Sequence, residues 1–128
     1  MSSIRVAAVQ AEPVWLDIEG TVDKTVKLIE EAAGKGAQLV AFPETWVPGY
    51  PVFLWTVPVP EQMPYVGRYH ENSMTVSGDH MRRIREAARK SRITVSIGRA
   101  VWWREQGRKT TTTSRSCARS ARSARATS

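Results

Sequence analysis

The chain of 128 residues has few of the features that mark several large classes of protein. It has a single Cys, so no disulfide can form within the chain, and this excludes a small secreted fold held by disulfides. No segment approaches the roughly 20 consecutive apolar residues that a membrane helix needs. The short apolar run after Arg5 is interrupted by Gln10 and Glu12, so we expect no signal peptide and no membrane anchor. The hydrophobic share of 41% is typical of one soluble domain, which we expect in the reducing cytoplasm.

Acidic residues are almost absent from the C-terminal part of the chain. Residues 1–98 contain 11 basic and 11 acidic side chains, whereas residues 99–128 contain eight basic ones and only Glu105, so the net charge of +7 arises after residue 98. From Thr110 to Ser128 every residue except Cys117 is Thr, Ser, Arg or Ala, and such a segment cannot bury enough surface to fold. The sequence therefore predicts an organised domain over 1–98 and a disordered basic tail over 99–128.

Three segments of the organised part have the pattern of β-strands. Residues 4–10 and 38–42 are nearly continuous apolar runs, as in strands that are covered on both faces. Residues 93–98 alternate apolar and hydroxyl side chains and end at Gly98. Because helical segments separate these strands, we expect βαβ units with parallel pairing and right-handed crossovers.

Two amphipathic segments predict the intervening helices. The first begins after Asp17, a suitable N-cap, and ends near Gly34. The second spans about Gly78–Lys90 with Ser77 as the expected cap. Its predicted buried face consists of Met81, Ile84 and Ala88, and its polar face of Arg82, Arg85 and Arg89.

The connection after the second strand contains six of the seven prolines, between Pro43 and Pro64. Pro fixes φ and removes a backbone donor, so this segment is predicted to be a long surface connection. It also contains several aromatic residues: Trp46, Tyr50, Phe53 and Trp55. Long aromatic connections are typical of a binding site or an interface.

Glu44 is the candidate for chemistry because it follows the second strand directly. In open α/β sheets, ligands bind outside the carboxyl ends of the strands. A carboxylate among Trp46, Tyr50 and Trp55 would lose solvation, which favours proton transfer near neutral pH and suits a general base. An ordinary solvated loop glutamate is the alternative, and position alone leaves both interpretations open.

The segment from Gly36 to Pro51 resembles the glutamate motif of the nitrilase, or carbon-nitrogen hydrolase, superfamily. The resemblance extends over sixteen positions, including the opening Gly, the Phe two residues before Glu44 and the closing Gly-Tyr-Pro. Residues Arg5–Gln10 resemble the first strand of the family, and Arg68–Ser73 resembles a segment of nitrilases that act on true nitriles. In total the resemblance spans about residues 4–98.

The resemblance implies an α-β-β-α sandwich, here a partial one with about three strands and two helices. It implies hydrolysis of a small nitrile to a carboxylic acid and ammonia by a Glu-Lys-Cys triad, with no metal and no organic cofactor. Glu44 matches the general base, and Tyr50, Pro51 and Trp55 are the expected substrate-binding residues. The resemblance also implies that intact relatives form homo-oligomers.

The sequence departs from the family in the other two members of the triad. Neither an Arg-Lys-Leu-Lys-Pro-like stretch nor a Cys-Trp-Glu-like turn is present, and the contexts of Lys109 and Cys117 match neither. We therefore expect an inactive N-terminal portion of a nitrilase-type hydrolase. A shifted reading frame after Gly98 would explain the tail, and a natural truncated paralogue is the alternative. An uncovered sheet face also leads us to expect aggregation.

The residues bear on two other functional classes. The basic tail, with Trp102 and Trp103 beside Arg104, is compatible with an interaction protein that binds nucleic acid, and nonspecific binding at low salt follows from charge alone. His70 and His80 lack the paired spacing of a zinc site, so we expect no metal.

Overall fold

The computed structural model describes residues 3–105 and 108–118, which form one four-stranded sheet with helices. The strands are β1 (Val6–Ala8), β2 (Leu39–Ala41), β3 (Thr94–Glu105) and β4 (Arg108–Ala118), in the order β1-β2-β3-β4. Strands β1, β2 and β3 are parallel, and β4 is antiparallel to β3. The helices are α1 (Ile18–Gly34), α2 (Phe53–Thr56), α3 (Met63–Glu71) and α4 (Asp79–Lys90), with a 3-10 turn at Val59–Glu61. The predicted α/β class with three parallel strands is confirmed.

The two faces of the sheet differ in how well they are covered. The row formed by Ala7, Val40 and Val95 belongs to the main hydrophobic core, together with the buried sides of α1 and α4. The neighbouring rows point to the other face and consist of exposed or half-buried residues: Val6, Leu39 and Thr94, then Ala8, Ala41 and Ser96. Helices α1 and α4 therefore cover one side of the three parallel strands, and the opposite side of these rows is open.

Helix α1 begins as predicted. The Asp17 carboxylate accepts a hydrogen bond from the Gly20 N–H at 3.0 Å, and Val22 and Ile29 are fully buried against the sheet. Helix α4 buries its predicted apolar face, but the prediction of Ser77 as its cap is wrong. The N-cap is Gly78 in an extended conformation with no side-chain hydrogen bond, so Ser77 lies one residue too early. No helix in the described ranges is long and apolar enough to cross a lipid bilayer.

The proline-rich connection is more deeply buried than the surface connection that the sequence predicts. Trp46 is only 1% exposed, and its Nε1–H donates to Thr25 Oγ1 at 2.8 Å. Phe53 is also buried, in a second small cluster that includes Leu16, Tyr69 and Ala100. Helices α2 and α3 are not predicted from the sequence, because Pro opens or precedes them and their apolar residues are sparse. Large aromatic side chains anchor this segment despite its prolines.

Strand β3 continues past residue 98, where the sequence analysis predicts a disordered tail. Residues 99–105 pair with β4, and this places residues 108–118 in a strand as well. A β-hairpin is held by main-chain hydrogen bonds, and the β-branched Thr110–Thr113 favour strands, so a segment without large apolar side chains is still compatible with pairing. Residues 119–128 of the predicted tail lie outside the described residues.

Candidate active site

Glu44 lies in a short arch of main chain that begins where β2 ends. Before the arch, the Phe42 N–H donates to the Ser96 carbonyl at 2.8 Å. After it, the Val47 N–H donates to the Gly98 carbonyl at 3.4 Å, and the Ala100 N–H donates to the Val47 carbonyl at 2.8 Å. Strand β3 therefore holds both ends of the arch, and Glu44 projects from between these two attachments with an exposed side chain.

Gly98 makes the close approach of this arch possible. A Cβ atom at position 98 would lie 2.7 Å from Thr45 N, 2.8 Å from Pro43 O and 2.9 Å from Glu44 Cα. All three are main-chain atoms, so no side-chain rotation could relieve the clash. Gly in a strand often marks such a place, where another backbone packs closely.

Thr45, the next residue after Glu44, has an uncommon conformation. Its φ is +47°, in the left-handed region that a β-branched residue rarely adopts. The side chain is buried at 4% exposure, and its Oγ1 has no hydrogen-bond partner. Strained and unsatisfied residues are concentrated at functional sites, where the surrounding structure holds them in place.

A cleft of about 220 Å³ opens beside the carboxylate on the open face of the sheet. The residues that line it are Ala41, Phe42, Pro43, Glu44, Ser96 and Gly98. No described side chain forms a hydrogen bond or an ion pair with Glu44, so its exposed carboxylate lies beside the cleft without a protein partner among the described residues. Within the described residues, no group of His, Cys, Asp or Glu is arranged to hold a metal ion.

None of the three aromatic side chains predicted around Glu44 lines the cleft. The Trp46 side chain points into the core, away from solvent. Tyr50 and Trp55 lie together with stacked rings, 5.6 Å apart and inclined by 11°, but both are exposed. Neither ring lines the cleft, and Pro51 does not line it either. The structure thus pairs Tyr50 with Trp55 and keeps both apart from the Glu44 cleft.

Lys109 and Cys117 lie on β4, where the main chain of Cys117 pairs with Ser96. The sequence does not predict that Ser96 and Gly98 line the cleft or that Thr45 belongs to the arch. Only Gly98 carried a signal, since Gly at the end of an alternating strand can indicate close approach of a second backbone.

Comparison with known proteins gives a consistent assignment. Residues 5–117 match the carbon-nitrogen hydrolase family. The chain is 54% identical over 97 residues to an arylacetonitrilase of Aspergillus oryzae, covering 76% of this chain and 28% of that protein. It is 48% identical over 98 residues to a cyanide hydratase of Neurospora crassa, covering 77% of this chain and 28% of that protein. A nitrilase of Pseudomonas syringae is 52% identical over 95 residues, which cover 74% of this chain and 28% of that protein.

A similar fold occurs in a solved amidase from Nesterenkonia sp. The TM-score is 0.53 at 21% identity, and the match covers 88% of this chain and 37% of the amidase. This likeness supports the fold. The three curated relatives named above are much longer than this chain, which spans little more than a quarter of their length.

Proposed function

The chain belongs to the carbon-nitrogen hydrolase family, and from this premise we propose that it is the N-terminal portion of an enzyme that hydrolyses nitriles. The observation that carries the proposal is the position of Glu44, held over Gly98 at the carboxyl end of β2 and open to a cleft. The names of the relatives, which specify nitriles or cyanide, support a small cyano compound as the substrate class.

The proposed chemistry needs three groups. A thiolate adds to the nitrile carbon, and the nitrogen takes up a proton, which gives a thioimidate. Addition of water and loss of ammonia give a thioester, and a second water releases the carboxylic acid and restores the thiol. Glu44 is proposed to move protons in these steps, while an ammonium group would stabilise the negative charge that develops.

We propose that this chain is inactive because it supplies only the base. Lys109 and Cys117 are the available lysine and cysteine after β3, and neither lies in a sequence context that matches the family. A thiol that is not oriented toward the nitrile carbon and the base loses most of the rate that orientation provides. A shifted reading frame after Gly98 accounts for the missing motifs, and retranslation of the gene in the other two frames would test this. The absence of both motifs in those frames would contradict it.

The inactivity can be tested on the purified chain. Incubation with phenylacetonitrile is expected to release no ammonia above a blank without protein, and incubation with cyanide is expected to give no formamide. Product formation that Cys117→Ser abolishes would contradict the proposed inactivity and would show that this chain provides its own nucleophile.

The role of Glu44 can be tested in a chain whose downstream frame is restored. Replacement of a general base costs roughly 10²- to 10⁴-fold in rate, so we expect Glu44→Gln to reduce kcat by that range. Glu61→Gln is the matched control, because Glu61 is an exposed carboxylate in the 3-10 turn and does not line the cleft. Equal activity in the two variants would refute the assignment of Glu44 as the base.

A further inference from the structure

Arg99 is a buried cation, and two of its three side-chain nitrogens lack hydrogen-bond partners. It follows Val95 and Ile97 on the side of β3 that faces the helices, and it is only 5% exposed. Its Nε and Nη1 atoms are buried and form no hydrogen bond. Buried charges in proteins are normally paired, because an unpaired charge loses its hydration without compensation.

A second cation makes this environment more unusual. Arg85 of α4 acts on Arg99 electrostatically with the same sign. Burial, and then Arg85, lower the pKa of the Arg99 guanidinium from its usual value. No described carboxylate forms an ion pair with either residue, although Arg82 and Arg83 on the same helix each pair with two carboxylates. Among the described residues, Arg99 and Arg85 therefore lack a negatively charged partner.

We propose that Arg99 and Arg85 form a binding site for a small oxyanion, a phosphate or carboxylate group. A guanidinium presents several N–H donors in one plane, which suits the paired oxygens of these groups. The anion would satisfy the unpaired donors of Arg99 and would lie between two cations that otherwise repel each other. Such a ligand binds the folded chain in preference to the unfolded one, so it stabilises the fold.

This site is independent of the proposed catalytic role of Glu44. Successive residues of a strand point to opposite faces, and Gly98 faces the arch that carries Glu44. Arg99 therefore points to the helix side of the sheet. Failure of the anion site would leave the role of Glu44 intact, and under the proposed shift of reading frame after Gly98 the anion site belongs to this chain as given.

Thermal unfolding of the whole chain with inorganic phosphate tests the proposal, with sodium chloride of equal ionic strength as the reference. When phosphate exceeds its Kd about tenfold, the midpoint is expected to rise by about 5 °C. Acetate in a parallel titration distinguishes a carboxylate from a phosphate ligand. The ¹⁵Nε resonance of Arg99 is expected to shift with the same concentration dependence. No rise with either anion would overturn the proposal.

Three variants locate the effect. Arg99→Met keeps the apolar stem and is expected to abolish the response to phosphate, whereas Arg99→Lys keeps the charge and is expected to retain part of it. Arg89→Gln is the matched control, since it removes one exposed cation from α4 one turn beyond Arg85, and it is expected to retain the full response. Equal responses in Arg99→Met and the unchanged chain would refute the site.

Discussion

At the scale of single residues, Gly98 connects the third strand to the candidate base. Because Gly98 has no side chain, the main chain from Pro43 to Thr45 lies directly against β3. The left-handed φ of Thr45 is part of the same arrangement. The position of the Glu44 carboxylate therefore depends on residues that contribute no chemistry of their own.

Gly98→Ala is expected to destabilise the fold by about 1 to 3 kcal/mol, the usual cost of overpacking. The added Cβ would meet three main-chain atoms at less than 3 Å, and the arch would have to move. Urea unfolding followed by tryptophan fluorescence would measure the change.

Gly67→Ala is the matched control for this substitution. Gly67 lies within α3, and a Cβ there meets no atom within 4 Å. Replacing a helical Gly by Ala stabilises by about 0.5 to 1 kcal/mol, so the two Gly→Ala changes should have opposite signs. Equal effects would contradict the close packing at Gly98.

Thr25→Val is expected to cost about 1 to 3 kcal/mol, although the two side chains have nearly the same shape. Val cannot accept the hydrogen bond from Trp46 Nε1–H, which would remain unsatisfied in the core. Thr25→Ser keeps the hydroxyl and is the control, and the free energy of unfolding in urea is the measurement. A smaller loss in Thr25→Val than in Thr25→Ser would show that the hydrogen bond contributes little.

The sequence predicted the place of Glu44 but not its surroundings. A residue that follows a parallel strand lies at the carboxyl edge of the sheet whatever its neighbours are, so its position follows from local pattern. The burial of Trp46 and the packing of Gly98 depend on contacts between distant segments. Periodicity and turn residues carry no information about such contacts.

At the scale of elements, the helix caps and helix α3 show the same difference between features that the sequence predicts and features that it does not. Asp17 caps α1 as predicted, because the hydrogen bond to the Gly20 N–H is local in sequence. At α4, the expectation of Ser77 failed because the helix begins after Gly78. Helix α3 was missed, since its few apolar residues pack on Phe53 and Leu16 from other parts of the chain.

Asp17→Ala is expected to destabilise the chain by about 1 kcal/mol through loss of the N-cap of α1. Ser77→Ala should leave stability unchanged within about 0.5 kcal/mol, because Ser77 makes no capping hydrogen bond to α4. The midpoints of urea unfolding compare the two. A loss in Ser77→Ala as large as that in Asp17→Ala would contradict the cap assignment.

At the scale of the whole molecule, the open face and the edge of the sheet govern solubility. β1 is an edge strand, with Val6 54% exposed, and unpaired edge strands promote association. We expect the chain to associate with rising concentration. Val6→Lys should reduce this association, because charge on an edge strand opposes edge-to-edge pairing.

Val59→Lys is the control for that variant. It adds the same charge at a residue that is 77% exposed but lies in the 3-10 turn, away from the sheet. Light scattering across a concentration series would compare the variants. Equal suppression by both would attribute the effect to net charge, and the proposed role of the edge would then be wrong.

The eight basic residues after residue 98 lead to a prediction about nucleic acids. Binding to single-stranded DNA is expected to be weak, independent of sequence and lost at moderate salt, as for contacts to phosphate alone. Replacing four of these residues, Arg115, Arg119, Arg122 and Arg125, by Gln should flatten the dependence on salt. The slope is expected to fall by about 0.7 for each phosphate contact removed. Tight binding that survives high salt would instead favour the interaction-protein alternative.

The contact between Gly98 and Glu44 also limits how this sequence can be divided or recombined. A chimera could take β2 and Glu44 from one parent and β3 from another. Its two backbone segments would pack closely only if the β3 segment has a hydrogen, in place of a methyl group, at position 98. Breeding of family members by gene shuffling should therefore keep residues 42 to 98 as one block. Crossovers inside that block are expected to survive only where the parent that supplies β3 has glycine at this position.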